Sequence, residues 1–170
     1  NMVGPAEMPY KVGIPYRDGV PIVYDSGDFP AAFRRALDAI GGLPEFRRRQ
    51  RAAWAEGRYL GLGLGCYVEG TGAGPFEGAT VRVDPSGMIY VASGACPQGQ
   101  GQETIFAQIA ADVWKVTPDQ VVVALADTAA IPLGYGTIAS RSTVLVSAAI
   151  NEASLRVKQK AVAIAANMLE

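Results

Sequence analysis

The chain has 170 residues, 49% hydrophobic and 18% charged, a balance that excludes disorder and suffices for one good core or two small ones. Fifteen basic residues against sixteen acidic ones leave almost no net charge, so nothing draws the chain to nucleic acid or to an anionic membrane surface. No apolar run reaches the roughly 18 to 20 residues of a membrane span and no charged-then-apolar signal is present, which makes the cytoplasm the default location.

The chain opens NMVGPAEMPY without an initiator methionine and closes on AIAANMLE within a helical pattern, so it looks cut at both ends. Residues 1–27 are rich in Pro, Gly and Tyr and lack periodicity, as expected of an extended segment lying over another surface. The stretch DFPAAFRRALDAIGG predicts a short helix: Asp28 caps it, Pro30 suits the first turn, Gly41 and Gly42 stop it, and Phe33 and Leu37 form its buried stripe. LPEFRRRQRAAWAEG predicts a second helix, with Phe46, Ala53 and Trp54 available for packing and the run from Arg47 to Arg51 as a solvated face.

From Tyr59 the texture changes. YLGLGLGCYVEGTG alternates apolar residues with glycine, the pattern of a strand that another backbone approaches closely. ATVRVDPSGMIYVAS reads as a hairpin around the turn DPSG. The loop CPQGQG follows, and then Ile105, Ile109 and Val113 recur every four residues, predicting an amphipathic helix over Gln102–Trp114. QVVVAL reads as a buried strand, ADTAAIPLGYGTIA as a loop, and the chain from about Ser140 as one long helix with Val144, Ala148, Leu155, Val162, Ala166 and Leu169 along one stripe. The expected fold is α+β, an antiparallel sheet with helices on one face, with residues 1–57 forming an extended segment plus two short helices and residues 58–170 the α+β subdomain.

One device occurs twice: PQGQGQET and GYGTIASRST are Gly-rich loops running into helix starts, where unpaired N–H groups and the positive end of the helix dipole favour anions. Arg141 lies in a first helical turn, where a positive charge calls for a negative partner, and a phosphate is a natural one. Ordinary capping by Ser140, Ser142 or Thr143 is the plainer explanation of the hydroxyls beside it. No lysine follows a glycine, which excludes a P-loop. The dinucleotide fingerprint fails as well: Gly63 and Gly65 lead to Val68, Gly72 and Gly74 to Glu77, and Gly99 and Gly101 to Thr104. With no histidine and two scattered cysteines, Cys66 and Cys96, expected to be small buried residues, protein ligation of a metal is poorly served. Gln98 and Gln100 offer uncharged donors and acceptors, which suit a heterocycle edge or a metal-oxo group, so any metal would have to arrive inside a cofactor with ligands of its own.

The ordered motifs QGQGQET, DTAAIPLGYGT and ASRST, within a stretch from about Tyr59 to Lys160, resemble the molybdenum-cofactor-binding region of the xanthine oxidase family of molybdenum hydroxylases, above all large subunits of the aerobic carbon monoxide dehydrogenase type. The resemblance implies a molybdopterin dinucleotide, usually the cytosine form in bacteria, whose dithiolene holds the molybdenum. It matches Gln98, Gly99, Gln100 and Gly101 to the loop that contacts the cofactor. Thr137, Ser140, Arg141 and Ser142 match the second loop and helix start near the phosphates, and Ile138 and Ala139 match positions close to the metal. Gln102 departs from the pattern, since many relatives carry histidine there. The family's substrate loop and its later Gly-x-Gly-Glu base are missing, and Glu69, Glu77 and Glu103 are expected to be structural or solvated.

These expectations describe a fragment of a large subunit without a catalytic residue of its own. The complete enzyme would hydroxylate a small-molecule substrate with oxygen from water and pass electrons to iron-sulfur clusters and FAD on partner subunits. Its partners would be the remainder of the large subunit, an iron-sulfur subunit and an FAD subunit. The alternative is a non-catalytic nucleotide-binding or subunit-assembly module.

Overall fold

A computed structural model describes residues 2–16 and 19–169 of the chain. It divides into two compact units, Asn1–Tyr67 and Val68–Glu170.

In the first unit a 3-10 turn, Pro5–Glu7, precedes a hairpin, so the segment expected to run extended pairs with itself. Strand β1, Tyr10–Pro15, pairs antiparallel with β2, Pro21–Tyr24. Tyr10 and Tyr24 face each other across it at 6.4 Å between ring centroids, and Phe29 meets Tyr24 edge-on at 5.5 Å, so aromatic packing supplies the order that periodicity does not reveal. Helix α1, Phe29–Ala39, starts as predicted: the Ala31 N–H donates to the Asp28 carboxylate at 2.9 Å. Phe33 and Leu37 are half-buried. Helix α2, Gly42–Ala55, follows Gly41 in the left-handed region and buries Phe46 and Ala53. Trp54 does not join them and stands 62% exposed, while Arg47 to Arg49 and Arg51 face solvent. The glycine-alternating stretch after α2 is not a strand. Among the described residues a Cβ on Gly61, Gly63 or Gly65 would meet nothing within 4 Å, so none of them makes the close backbone approach that such spacing anticipates.

In the second unit β3, Ala79–Val83, and β4, Ile89–Ser93, form the expected antiparallel hairpin. In its turn the Asp84 carboxylate accepts from the Ser86 N–H at 2.9 Å. Helix α3, Gln102–Trp114, has the predicted limits and leads to β5, Val121–Leu125. Strand β5 pairs with β4 in parallel, with Ile89 opposite Val121 and Ser93 opposite Leu125. The sheet order β3-β4-β5 is therefore mixed rather than wholly antiparallel, because α3 crosses from the end of β4 back to the start of β5. The consequence for the site is direct: both loops leave the sheet from the same edge, beyond the carboxyl ends of β4 and β5.

The core gathers Ile89 and Val91 of β4, Ala95, Phe106 and Ala110 of α3, and Val146 and Ile150 after the second loop, each no more than 1% exposed. A π-helical turn, Ser142–Val146, precedes α4, Ser147–Leu169. The buried face of this last segment is Val146, Ile150 and Ser154, not the stripe read from the sequence. Val144 is 46%, Leu155 41%, Val162 61% and Leu169 87% exposed, and Ala148 and Ala166 are exposed as well. An all-round alanine-rich helix carries apolar residues on more than one face, and contact with the sheet selects among them. No helix among the described residues is long and apolar enough to cross a membrane.

The two stripes make opposite predictions. Ile150→Ala should cost about 2–5 kcal/mol of unfolding free energy, whereas Val162→Ala should stay within about 0.5 kcal/mol of wild type, as read from urea unfolding followed by circular dichroism. Equal effects would refute the assignment of the buried face.

Candidate functional site

Two loops meet at the sheet edge. The first, 94–101, links β4 to α3; the second, 126–141, links β5 to the π-helical turn. Backbone touches backbone where they cross: a Cβ on Gly94 would lie 2.5 Å from the Cα of Gly134, and one on Gly134 would lie 2.6 Å from the Cα of Gly94. Only glycine allows that approach at either position.

Thr137 fastens the crossing. Its hydroxyl accepts from the Cys96 N–H at 3.1 Å, lies 3.1 Å from the Ser142 hydroxyl that donates to it, and is 3.3 Å from the Gln102 amide nitrogen. Gln102 is 2% exposed and Ser142 5% exposed, so both are enclosed members of this network. The carboxamide at position 102 thus completes the link between the two loops as a neutral group.

The rest of the first loop faces outward. Gln98, Gly99, Gln100 and Gly101 are all exposed. The Gln98 N–H donates to the Gln100 carboxamide oxygen at 2.6 Å, and the Gln100 amide donates to the Gln98 side chain at 3.4 Å, so the two glutamines brace each other. Gly99 at φ 102° and Gly101 at φ 70° are left-handed, with open space where a Cβ would stand. Gly101 is the N-cap of α3 and offers no side chain to the first-turn N–H groups.

In the second loop Ala139 and Ser140 both sit at positive φ, 47° and 48°, a strain of about 1–3 kcal/mol each that the surroundings must hold in place. Ile138 and Ser140 are exposed, and Ala139 is half-buried. Arg141 has a negative partner within the protein. It is fully buried, its Nη1 pairs with the Glu77 carboxylate, and its guanidinium also donates to three backbone carbonyls. The negative charge that its place in a first helical turn calls for is thus supplied by the protein itself. Glu77 is structural, while Glu69 and Glu103 are exposed.

Cys66 and Cys96 are free and exposed, not buried. Among the described residues no three His, Cys, Asp or Glu side chains come together as a metal site. The donors at the crossing are instead neutral carboxamides, hydroxyls and backbone N–H groups. Such a set fits a cofactor that brings its own metal ligands and asks for hydrogen bonds and space. The sequence pointed to both loops and to a structural or solvated Glu77, but not to the meeting of Gly94 with Gly134 or the pairing of Glu77 with Arg141, because those contacts exist only once segments far apart in the chain meet.

The family described as molybdopterin cofactor-binding domain matches residues 37–170. The 6-hydroxypseudooxynicotine dehydrogenase complex subunit gamma of Paenarthrobacter nicotinovorans is 38% identical over 92% of this chain and 20% of its own length. The carbon monoxide dehydrogenase large chain of Afipia carboxidovorans is 34% identical over 100% of this chain and 22% of its own. The crystal structure of quinoline 2-oxidoreductase from Pseudomonas putida 86 superposes with a TM-score of 0.62 at 35% identity, over 92% of this chain and 20% of that one. The chain therefore spans about a fifth of the length of these relatives.

Gly94→Ala should force the two loops apart, lowering stability by about 1–3 kcal/mol and exposing the Cys96 amide to solvent exchange. A variant with wild-type stability and a protected Cys96 amide would show that the crossing tolerates a side chain.

Proposed function

Because the chain belongs to the molybdopterin cofactor-binding domain family, we propose that its two crossing loops form part of the cofactor site of a xanthine-oxidase-type molybdenum hydroxylase. The observation that carries this reading is the meeting of two glycine-bearing, hydrogen-bonding loops at one sheet edge, held by Gly94 against Gly134 and by Thr137. Ligands of open sheets favour this position, outside the carboxyl ends of the strands.

In this reading Gln98 and Gln100 present carboxamides to the pterin, and Gly99 and Gly101 let backbone approach it without a Cβ in the way. The first-turn N–H groups of α3 face negative charge. Thr137, Ile138, Ala139, Ser140, Arg141 and Ser142 give the second wall, with the left-handed pair Ala139 and Ser140 turning the chain toward the cofactor. The cofactor is the molybdenum form of molybdopterin cytosine dinucleotide, and when bound it supplies the two-electron oxidation of a small-molecule substrate, with water as the source of oxygen. Electrons leave toward iron-sulfur clusters and FAD on partner subunits, and the remainder of the large subunit supplies the base. Two free thiols agree with a cytoplasmic setting. None of these residues acts as the catalytic base in this reading, and the chain by itself is expected to show no turnover.

Purified natively with whatever accompanies it, from cells that make the cofactor, the protein should carry near-stoichiometric molybdenum and release CMP on acid treatment. A folded sample with neither would refute the cofactor-site reading and favour an assembly module.

A further inference from the structure

Arg141 combines the charge expected of a phosphate ligand with the burial of a core residue. None of its surface is exposed. Its Nε donates to the Ala73 carbonyl at 2.8 Å, its Nη1 to the Gly136 carbonyl at 2.8 Å and to Glu77, and its Nη2 to the Phe76 carbonyl. The Tyr135 ring lies 4.6 Å from the guanidinium carbon. A guanidinium has five N–H donors in a fixed fork. These partners take four of the five, and with no surface exposed the guanidinium does not reach an external anion.

The partners have a pattern. Ala73, Phe76 and Glu77 belong to the segment before β3, and everything else belongs to the second loop. Glu77 accepts from the Tyr135 N–H at 3.1 Å with the oxygen that pairs with Arg141, and the Gly72 N–H donates to the Ser140 carbonyl at 3.2 Å. The segment 72–77 therefore grips the loop at 135–136 and again at 140–141, and the left-handed residues Ala139 and Ser140 lie between or at these grips. The grip also shapes its own seat: Gly74 has φ 115°, and a Cβ there would come within 2.9 Å of the arginine Nε.

We propose that Arg141 and Glu77 are positioning residues for the cofactor loop: the pair fixes the backbone of residues 135–141, and the arginine acts on the cofactor through that backbone rather than through its charge. The proposal rests on the cofactor-site reading of the loop. It separates cleanly from direct phosphate binding. Lysine at 141 keeps the charge but cannot replace the fork, so Arg141→Lys should behave like Arg141→Met. Glu77→Gln would free a phosphate-binding arginine, yet should loosen one that positions.

Two measurements on the full 170-residue chain and on its native preparation decide the matter. Amide hydrogen exchange in Arg141→Lys and in Glu77→Gln should rise about tenfold or more at Gly72, Tyr135 and position 141, whose N–H groups are bonded within this grip, while Val91 and Ala110 keep their protection. Glu77→Gln, which preserves side-chain shape, guards against a variant that fails to fold. Molybdenum and CMP content should fall in Arg141→Lys as far as in Arg141→Met, and should fall in Glu77→Gln. Unchanged loop exchange, a uniform rise across the whole unit, or full cofactor content in Arg141→Lys would each overturn the positioning role. A wild-type preparation without molybdenum or CMP overturns instead the cofactor-site reading itself.

Discussion

A guanidinium with no exposed surface lies within the second unit, and its desolvation dictates much of what surrounds it. Removing such a charge from water costs several kcal/mol, offset only when an opposite charge and good acceptors meet it. Here Glu77 supplies the charge and three carbonyls supply the acceptors, which fixes where residues 73–77 and 135–136 must lie. An apolar substitute of equal volume could match that arrangement in stability, but it would not specify one geometry among many. The pair is best understood as a source of uniqueness for a loop whose own backbone is strained.

The sheet contributes the second constraint. Because β4 and β5 run parallel, Ser93 and Leu125 end side by side, and the chain leaves both strands in the same direction. An antiparallel β5 would have sent the loops to opposite ends. Two glycines then permit the crossing, and Thr137 ties it to Cys96, Gln102 and Ser142. Charge, pleat and the absence of two Cβ atoms thus act on one small volume.

Local patterns were legible and long-range ones were not. Asp28, the turn at Asp84 and the limits Gln102–Trp114 follow from capping, turn chemistry and periodicity, each written in a few adjacent residues. Both site loops were legible for the same reason, as glycine runs before helix starts. The sense of β5 was not, because its residues fit either direction and only the crossing of α3 decides. Nor was the buried face of the last helical segment, where alanines and valines lie on every side and packing selects Val146 of the π-helical turn and Ile150 of α4. Arg141 is the sharpest case: its position asked for a negative partner, but nothing adjacent in sequence could name Glu77, which lies in a segment before another strand. The glycine-alternating stretch misled in the opposite direction, since its spacing implies a close neighbour that does not approach it here.

The parallel pairing of β4 with β5 also sets what must be in place before the loops can meet. The hairpin of β3 and β4 closes over a short turn, and α3 forms from contacts within one stretch of chain, but β5 can join only after the whole crossover has been drawn in. Such non-local contacts carry the loop-closure entropy before they gain anything from it, which makes them the slow steps of folding. Gly94 cannot meet Gly134, nor Cys96 reach Thr137, until that step is complete. The crossing of the two loops therefore depends on the parallel pairing, and a chain in which β5 has come away keeps the β3–β4 hairpin but loses the contact between the loops.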